Sequence, residues 1–169
     1  IDIDNFKMII NRYGHAFGDS FLQFFASQIK NFLRDGDILT RYGGDKFAAI
    51  LPETDQDQAH AEAMQVLSAL TEMVIDAPGG TKLKATVSIG LAIFPDHSKD
   101  VNSLFMIADN QMSNAKKAGK NSVGVPTDAD IKEAFRAMEE RSLFMLNLLE
   151  NKEKIIPRFQ PIMSIHDNS

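Results

Sequence analysis

Residues 82–94, KLKATVSIGLAIF, alternate almost without a break: Leu83, Ala85, Val87, Ile89, Leu91 and Ile93 fall on one face of an extended chain. Period two over that length predicts one long strand with one face against a core. The neighbouring segments have a different period. In FLQFFASQIKNFLRD, residues Phe21, Leu22, Phe25, Ile29, Phe32 and Leu33 recur at helical spacing. Residues 56–75 do the same with Ala59, Ala63, Val66, Leu67, Leu70 and Val74, and 101–118 reads as a further helix ended by Gly119. IDID at 1–4 reads as the end of a buried strand, so the chain is expected to begin inside a domain. A short helix and a glycine-rich turn follow, with Asp19 or Ser20 placed to cap the next helix. ILTRY (38–42) and FAAIL (47–51) flank a tight turn, and Asn121–Val125 is short and strand-like. The order is β-α-β-β-α-β-α-β, which predicts an α+β fold with an antiparallel sheet covered by helices.

Composition narrows the function classes. The 169 residues are 44% hydrophobic and 24% charged, enough for one domain with a proper core. A net charge of −5 argues against a nucleic-acid-binding surface. With no cysteine there is neither a disulfide framework nor a thiolate metal site, which is compatible with a cytoplasmic protein or the cytoplasmic part of a membrane-anchored one. From 128 onward the pattern changes: Ile131, Phe135, Met138, Leu146 and Leu149 sit in a charged background, as in a connector helix. The expected division is a domain over 1–126, a connector over 127–153 and the first strand of another domain over 154–169.

The chemistry-bearing residues fall in three places. Asp2 and Asp4 share one face of a strand end, where carboxylates can hold a hard divalent cation. RYGGDKF (41–47) puts Gly43 and Gly44 beside Asp45 and Lys46. Glycines there either supply the positive φ of a tight hairpin or let a phosphate approach the backbone. NAKKAGKN (114–121) sets Lys116 and Lys120 four residues apart, on one helix face, as a triphosphate clamp or simply a solvated helix end. His15 reads as structural, and His60, His97 and His166 as surface residues without metal-ligand spacing.

Together DIDNFK, YGHAFGD, RYGGDKF, TVSIGLAIFP and ADNQMSNAKKAGKN resemble, in order and spacing over 1–125, the GGDEF family of diguanylate cyclases. The tail RFQPIMSI is similar to the first strand of an EAL phosphodiesterase domain, which implies a tandem GGDEF–EAL protein of bacterial cyclic di-GMP signalling. The family's opening D-x-L-T-G-L-x-N-R segment has no counterpart here, in line with a start inside the domain. The resemblance implies a palm-like, ferredoxin-like nucleotidyl-cyclase fold that joins two GTP molecules into cyclic di-GMP, each domain of a dimer supplying half the site. It implies a Mg²⁺ or Mn²⁺ site at Asp2, the Ile3 carbonyl and Asp45, a guanine contact at Asp19, and triphosphate contacts at Lys7, Lys116 and Lys120 with Gly43 and Gly44 beside them. The family usually has arginine where Lys120 stands, and lysine loses the bidentate geometry. Arg34 and Asp37, five residues before the glycine pair, match an R-x-x-D site where cyclic di-GMP inhibits the enzyme; the same four residues also read as a helix end and turn.

Two departures weigh against catalysis. Lys46 stands where the family has the glutamate implicated in metal binding and in activating the 3′-hydroxyl. At about 4 Å and an effective dielectric near 20, each unit interaction is on the order of 4 kcal/mol, so a two-charge swing beside a dication is severe. A lysine ammonium also cannot act as a general base. Ile10 replaces the guanine-reading asparagine, a loss of roughly 1–3 kcal/mol where the base edge is left unpaired, or else it extends the Met8–Ile9 face into the core. The expectation is a catalytically impaired domain that binds GTP or cyclic di-GMP. The alternatives are a weakly active cyclase and a ligand-free dimerisation or docking module.

Overall fold

The computed structural model describes residues 1–151. The chain divides into two compact units, Ile1–Ala134 and a second beginning at Phe135. In the first unit, strand β1 (Asp2–Ile3) leads to helices α1 (Phe6–Tyr13) and α2 (His15–Lys30), then to strands β2 (Ile38–Arg41) and β3 (Phe47–Ile50). Helix α3 (Gln56–Glu72), strands β4 (Ile75–Ala77), β5 (Thr81–Leu83) and β6 (Val87–Gly90), helix α4 (Val101–Lys117) and strand β7 (Ser122–Gly124) follow. Helix α5 (Asp128–Glu150) begins in this unit and continues into the second. A helix thus lies where the apolar pattern from 128 onward places one. The expected strand over 154–169 lies outside the described residues.

The main sheet has the order β1-β6-β7, with β1 antiparallel to β6 and β6 parallel to β7. The sheet is therefore mixed rather than antiparallel throughout, because α4 is a crossover between two neighbouring strands, and such a connection returns the chain in the same direction. The β2–β3 hairpin pairs Ile38 with Ile50 and Arg41 with Phe47. A bridge between Asp2 and Lys46, with the Phe47 N–H donating to the Ile1 carbonyl at 2.9 Å, lays its tip beside β1.

The long alternating run is not one strand. It breaks at 84–86: β5 turns back on β4, and only β6 enters the main sheet. The turn between β4 and β5 holds Gly79 and Gly80 at φ +78° and +75°, conformations that glycine adopts without steric cost. Helix α3 accordingly ends at Glu72 rather than 75, and Val74, expected on its buried face, is exposed. Val74 and Ile75 are β-branched and stiff at χ1, which favours an extended chain.

The core gathers Phe6 and Ile9 of α1, Phe21, Leu22, Phe25 and Ile29 of α2, and Val66, Leu67 and Leu70 of α3, over Ile3, Phe47, Val87 and Ile89 of the strands. Phe21 stacks on Phe25 with centroids 4.7 Å apart. Helix α2 starts at His15, four residues before Asp19, so neither Asp19 nor Ser20 caps it; Gly14, at φ +83°, closes α1 and opens α2 at once. Of the predicted α1 face, Ile9 is buried and Met8 is exposed, while Ile10 packs on the core cluster and toward Gly18.

His97 is also a correction: it is buried, not on the surface. Its Nδ1 accepts from the Ile93 N–H at 2.9 Å, and Nε2 lies 3.1 Å from the Gln56 side chain, tying the loop after β6 to the start of α3. Burial lowers its pKa below the ordinary 6.5, against the pull of Asp96 and Asp128. The folded-state value lies below the unfolded one, so the unfolded chain takes up the proton first. The stability held by neutral His97 is complete above pH 6.5 and is lost as pH falls from there toward the folded value. Urea midpoints measured from pH 8 to 5 should fall through that window, and His97→Gln should flatten the fall. An unchanged pH dependence in the variant would refute the assignment.

Candidate functional site

The hairpin tip, β1 and α4 meet around a cluster of opposite charges. Asp2 is buried in β1, its side chain 4% exposed, and Oδ1 lies 2.5 Å from the Lys116 ammonium of α4. Among the described residues that oxygen has no hydrogen-bond partner beyond this contact. Burial raises the Asp2 pKa; the hydrogen bond from Lys116 opposes the rise, and the Asp45 charge adds to it. Lys46 reaches α4 as well: Nζ donates to Asp109 Oδ1 at 2.8 Å, and the Tyr42 hydroxyl donates to the same oxygen at 3.3 Å. This hydrogen bond holds the Lys46 ammonium above the usual lysine range, against a smaller effect of burial. Tyr42 is further held by an edge-on contact with Phe105, centroids 4.9 Å apart.

Asp109 and Tyr42 were not singled out in the sequence. The available signal was the helical period of 101–118, which places Asp109 seven residues before Lys116 and so near the same face of α4.

Asp4 does not join Asp2 as a second metal ligand. Its Oδ1 accepts from Ser88 Oγ at 2.8 Å, and its Oδ2 from Thr86 Oγ1 at 2.7 Å and the Asn121 N–H at 3.1 Å. The carboxylate is spent on joining β1 to β6 and to the end of α4. Lys120 does not share a helix face with Lys116. Helix α4 stops at Lys117; the Lys120 N–H returns to the Ala115 carbonyl across Gly119 at φ +130°, a Schellman-type ending. Lys120 itself takes φ +67°, and its ammonium donates to Asn5 Oδ1 at 2.7 Å.

Gly43 and Gly44 also hold a surprise. Neither occupies the left-handed region, so turn geometry does not demand glycine at either. Arg41 and Phe47 close a five-residue loop, and Arg41 Nε donates to the Gly44 carbonyl at 3.0 Å. A Cβ at Gly44 would meet nothing within 4 Å, and one at Gly43 would make only ordinary contact with the Lys46 side chain at 3.7 Å. The fold leaves the outer side of this loop open. Lys7 and Asp19 are exposed on α1 and α2, and Asp45 is half-buried beside Lys46.

Arg34 is engaged rather than free: its N–H donates to Asp37 Oδ2 at 2.7 Å, its guanidinium donates to Thr54 Oγ1 at 2.6 Å, and Nε lies 3.5 Å from Glu62 Oε1. The contact with Asp37 is local loop closure.

A divalent cation needs several oxygens in near-octahedral array. Among the described residues no group of three or more His, Cys, Asp or Glu could hold a metal, and the buried Asp2 oxygen faces an ammonium ion. As arranged, these donors fit ammonium groups rather than a dication.

The mixed sheet, the crossover through α4 and the glycine loop beside β1 are those of a nucleotidyl-cyclase-like fold. The chain matches the family "Diguanylate cyclase, GGDEF domain" over residues 1–122 and belongs to it. It is 31% identical to the crystal structure of the GGDEF domain of TpbB (YfiN) from Pseudomonas aeruginosa, with a TM-score of 0.71 over 75% of this chain and 78% of that one. It is 34% identical to an EAL/GGDEF domain protein from M. capsulatus, TM-score 0.67, over 75% and 81%. Over 167 residues it is 25% identical to the cyclic di-GMP phosphodiesterase NbdA of P. aeruginosa, covering 99% of this chain and 21% of that protein. The chain spans about a third or less of the length of the curated relatives it matches.

Proposed function

We propose that this GGDEF domain is a regulatory element of a cyclic di-GMP signalling protein: it binds GTP at the hairpin site without turning it over, and it precedes an EAL domain beginning near residue 154. The observation that carries this reading is the Lys46–Asp109 pair. The position needed as a carboxylate is a cation, and the helix behind it supplies the carboxylate that keeps it one. The open loop at Gly43 and Gly44 supports retained binding, since the chain's own packing does not require glycine at either position. The alignment with NbdA runs through the tail, and the M. capsulatus structure is of an EAL/GGDEF protein, both of which favour the tandem arrangement. Among the described residues no helix is long and apolar enough to cross a membrane, and we place the domain in the cytoplasm on its nucleotide ligand. Homodimerisation, as in the family's cyclases, belongs to the same proposal.

The test uses the full-length protein with its phosphodiesterase activity blocked. Incubated with GTP and Mg²⁺ or Mn²⁺, it should give no cyclic di-GMP by chromatography, while GTP raises its melting temperature. Clear product would mean a working cyclase. A second nucleotide site at Arg34 and Asp37 remains part of the proposal, because the Arg34 side chain is half-exposed, although the side chains of its partners Asp37 and Glu62 are largely buried. Calorimetry with cyclic di-GMP should show at least a tenfold loss for Arg34→Ala. Unchanged affinity removes that site.

A further inference from the structure

Three carboxylates and two ammonium groups share the hairpin site. Asp2 and Lys46 are bridge partners across β1 and the loop, Asp45 is next in the chain, and Asp109 and Lys116 come from α4. The set is close to charge balance as it stands. A glutamate at 46 would instead give four carboxylates against one ammonium, a cluster that calls for a divalent ion. With lysine, a dication entering between Asp2 and Asp45 must expel Lys116 from its 2.5 Å contact and lie near the Lys46 charge. Neither ammonium is exhausted. Each has three N–H donors and gives one to a carboxylate, so two remain on each for phosphate oxygens. The side chains are a third exposed, enough for a ligand to reach them beside the open glycine loop.

We propose that the site takes a nucleoside polyphosphate free of divalent metal, with Lys46 and Lys116 supplying the cationic contacts that a metal ion would otherwise make. This rests on the nucleotide-binding reading above and adds to it the protonic, metal-independent character of the site. Asp109 is then a positioning residue: it keeps Lys46 charged and directed along α4 rather than into solvent.

The experiment is calorimetry of a non-hydrolysable GTP analogue on the full-length protein, in Mg²⁺ and in excess EDTA, with Lys46→Glu and Lys46→Met alongside. Wild type should bind with the same Kd in both buffers to within about threefold. Lys46→Glu should lose at least tenfold in EDTA and recover in Mg²⁺, because the substitution restores the call for a dication. Lys46→Met keeps chain length without charge, and should bind weakly in both. Circular dichroism melting confirms that each variant is folded; if Lys46→Glu does not fold, the wild-type and Lys46→Met comparison decides. A wild-type loss of tenfold or more in EDTA would overturn the metal-free site while leaving nucleotide binding intact. Lys46→Glu or Lys46→Met binding like wild type in EDTA would overturn the role of Lys46. Absence of binding in either buffer would remove the nucleotide-binding reading itself.

Discussion

Replacing Gly90 by alanine is expected to destabilise the domain severely, by a large fraction of its total stability. Gly90 ends β6 directly under α4, where an added Cβ would lie 2.0 Å from the Ala108 carbonyl oxygen and 2.3 Å from the Met112 nitrogen. Both obstacles are helix backbone, so no rotamer change relieves them. The helix would have to move off the sheet by more than an ångström. A Cβ added at Gly124 on β7 would likewise lie 2.4 Å from the Gln111 carbonyl oxygen, so α4 rests on a floor of two glycines. Overpacking a core typically costs about 1–3 kcal/mol with some room to adjust. Here there is none, and a loss of about 4 kcal/mol or more is expected, against a total stability of roughly 5–15 kcal/mol for a domain. Urea unfolding checks it, with Gly44→Ala as the control: a Cβ there meets nothing, so its midpoint should stay within about 0.5 kcal/mol of wild type. A Gly90→Ala protein with a wild-type midpoint would mean that the approach of α4 to the sheet is far looser than drawn. The same displacement would carry Asp109 and Lys116 away from the hairpin, so the residues that close this contact also set the site.

The helices were legible because their signals are local. The aromatic face of α2 and the alanine-rich face of α3 are set by spacing alone, and Phe21, Phe25, Ile29, Val66, Leu67 and Leu70 of those faces are buried, whereas Phe32, expected on the same face, is exposed because α2 ends at Lys30. The break at 84–86 was not legible. A run can keep period two through a kink, and which partner each half finds depends on β4, whose three residues give no pattern of their own. The parallel pairing of β6 with β7 is likewise a property of the crossover, not of either strand.

At the site, the structure brings several of the candidate residues together, through contacts that spacing alone did not show. Asp2, Asp45, Lys46 and Lys116 do converge on the hairpin tip and α4. Spacing could not show that Lys116 sits on Asp2, or that Lys46 finds a carboxylate 63 positions away. Lys120 was misplaced because i and i+4 share a face only while the helix continues, and Gly119 ends it. Of the two readings of the loop glycines, the positive φ of a tight turn is not met, since neither Gly43 nor Gly44 takes a positive φ.

Asp4 carries the second large effect, and it separates the two aspartates of the DID segment. Period two puts Asp2 and Asp4 on one face, which made a pair of metal ligands the natural reading. The structure instead seals Asp4 at 3% exposure beneath the site, where it accepts from Ser88, Thr86 and the Asn121 N–H. The last of these matters most. Lys120 and Asn121 are consecutive non-glycine residues at φ +67° and +47°, a conformation that costs about 1–3 kcal/mol each unless the surroundings hold it. Asp4 holds it from below, Thr71 Oγ1 holds the Asn121 side chain at 2.7 Å, and Asn5 receives the Lys120 ammonium. In Asp4→Ala the two hydroxyls can rotate toward other acceptors, but the backbone N–H cannot, and the strained pair loses its anchor. A loss of about 3–5 kcal/mol is expected by urea unfolding. Asp4→Asn keeps the shape and one acceptor oxygen, so it should lose about half as much, and the ratio of the two distinguishes lost hydrogen bonds from a lost charge. Asp2→Ala supplies the contrast. Among the described residues its Oδ1 contacts the Lys116 ammonium and no hydrogen-bonding partner besides, so stability should change little while Lys116 is released. If Asp4→Ala proved as stable as wild type while Asp2→Ala unfolded, the assignment of one aspartate to the fold and the other to the ligand site would have to be reversed.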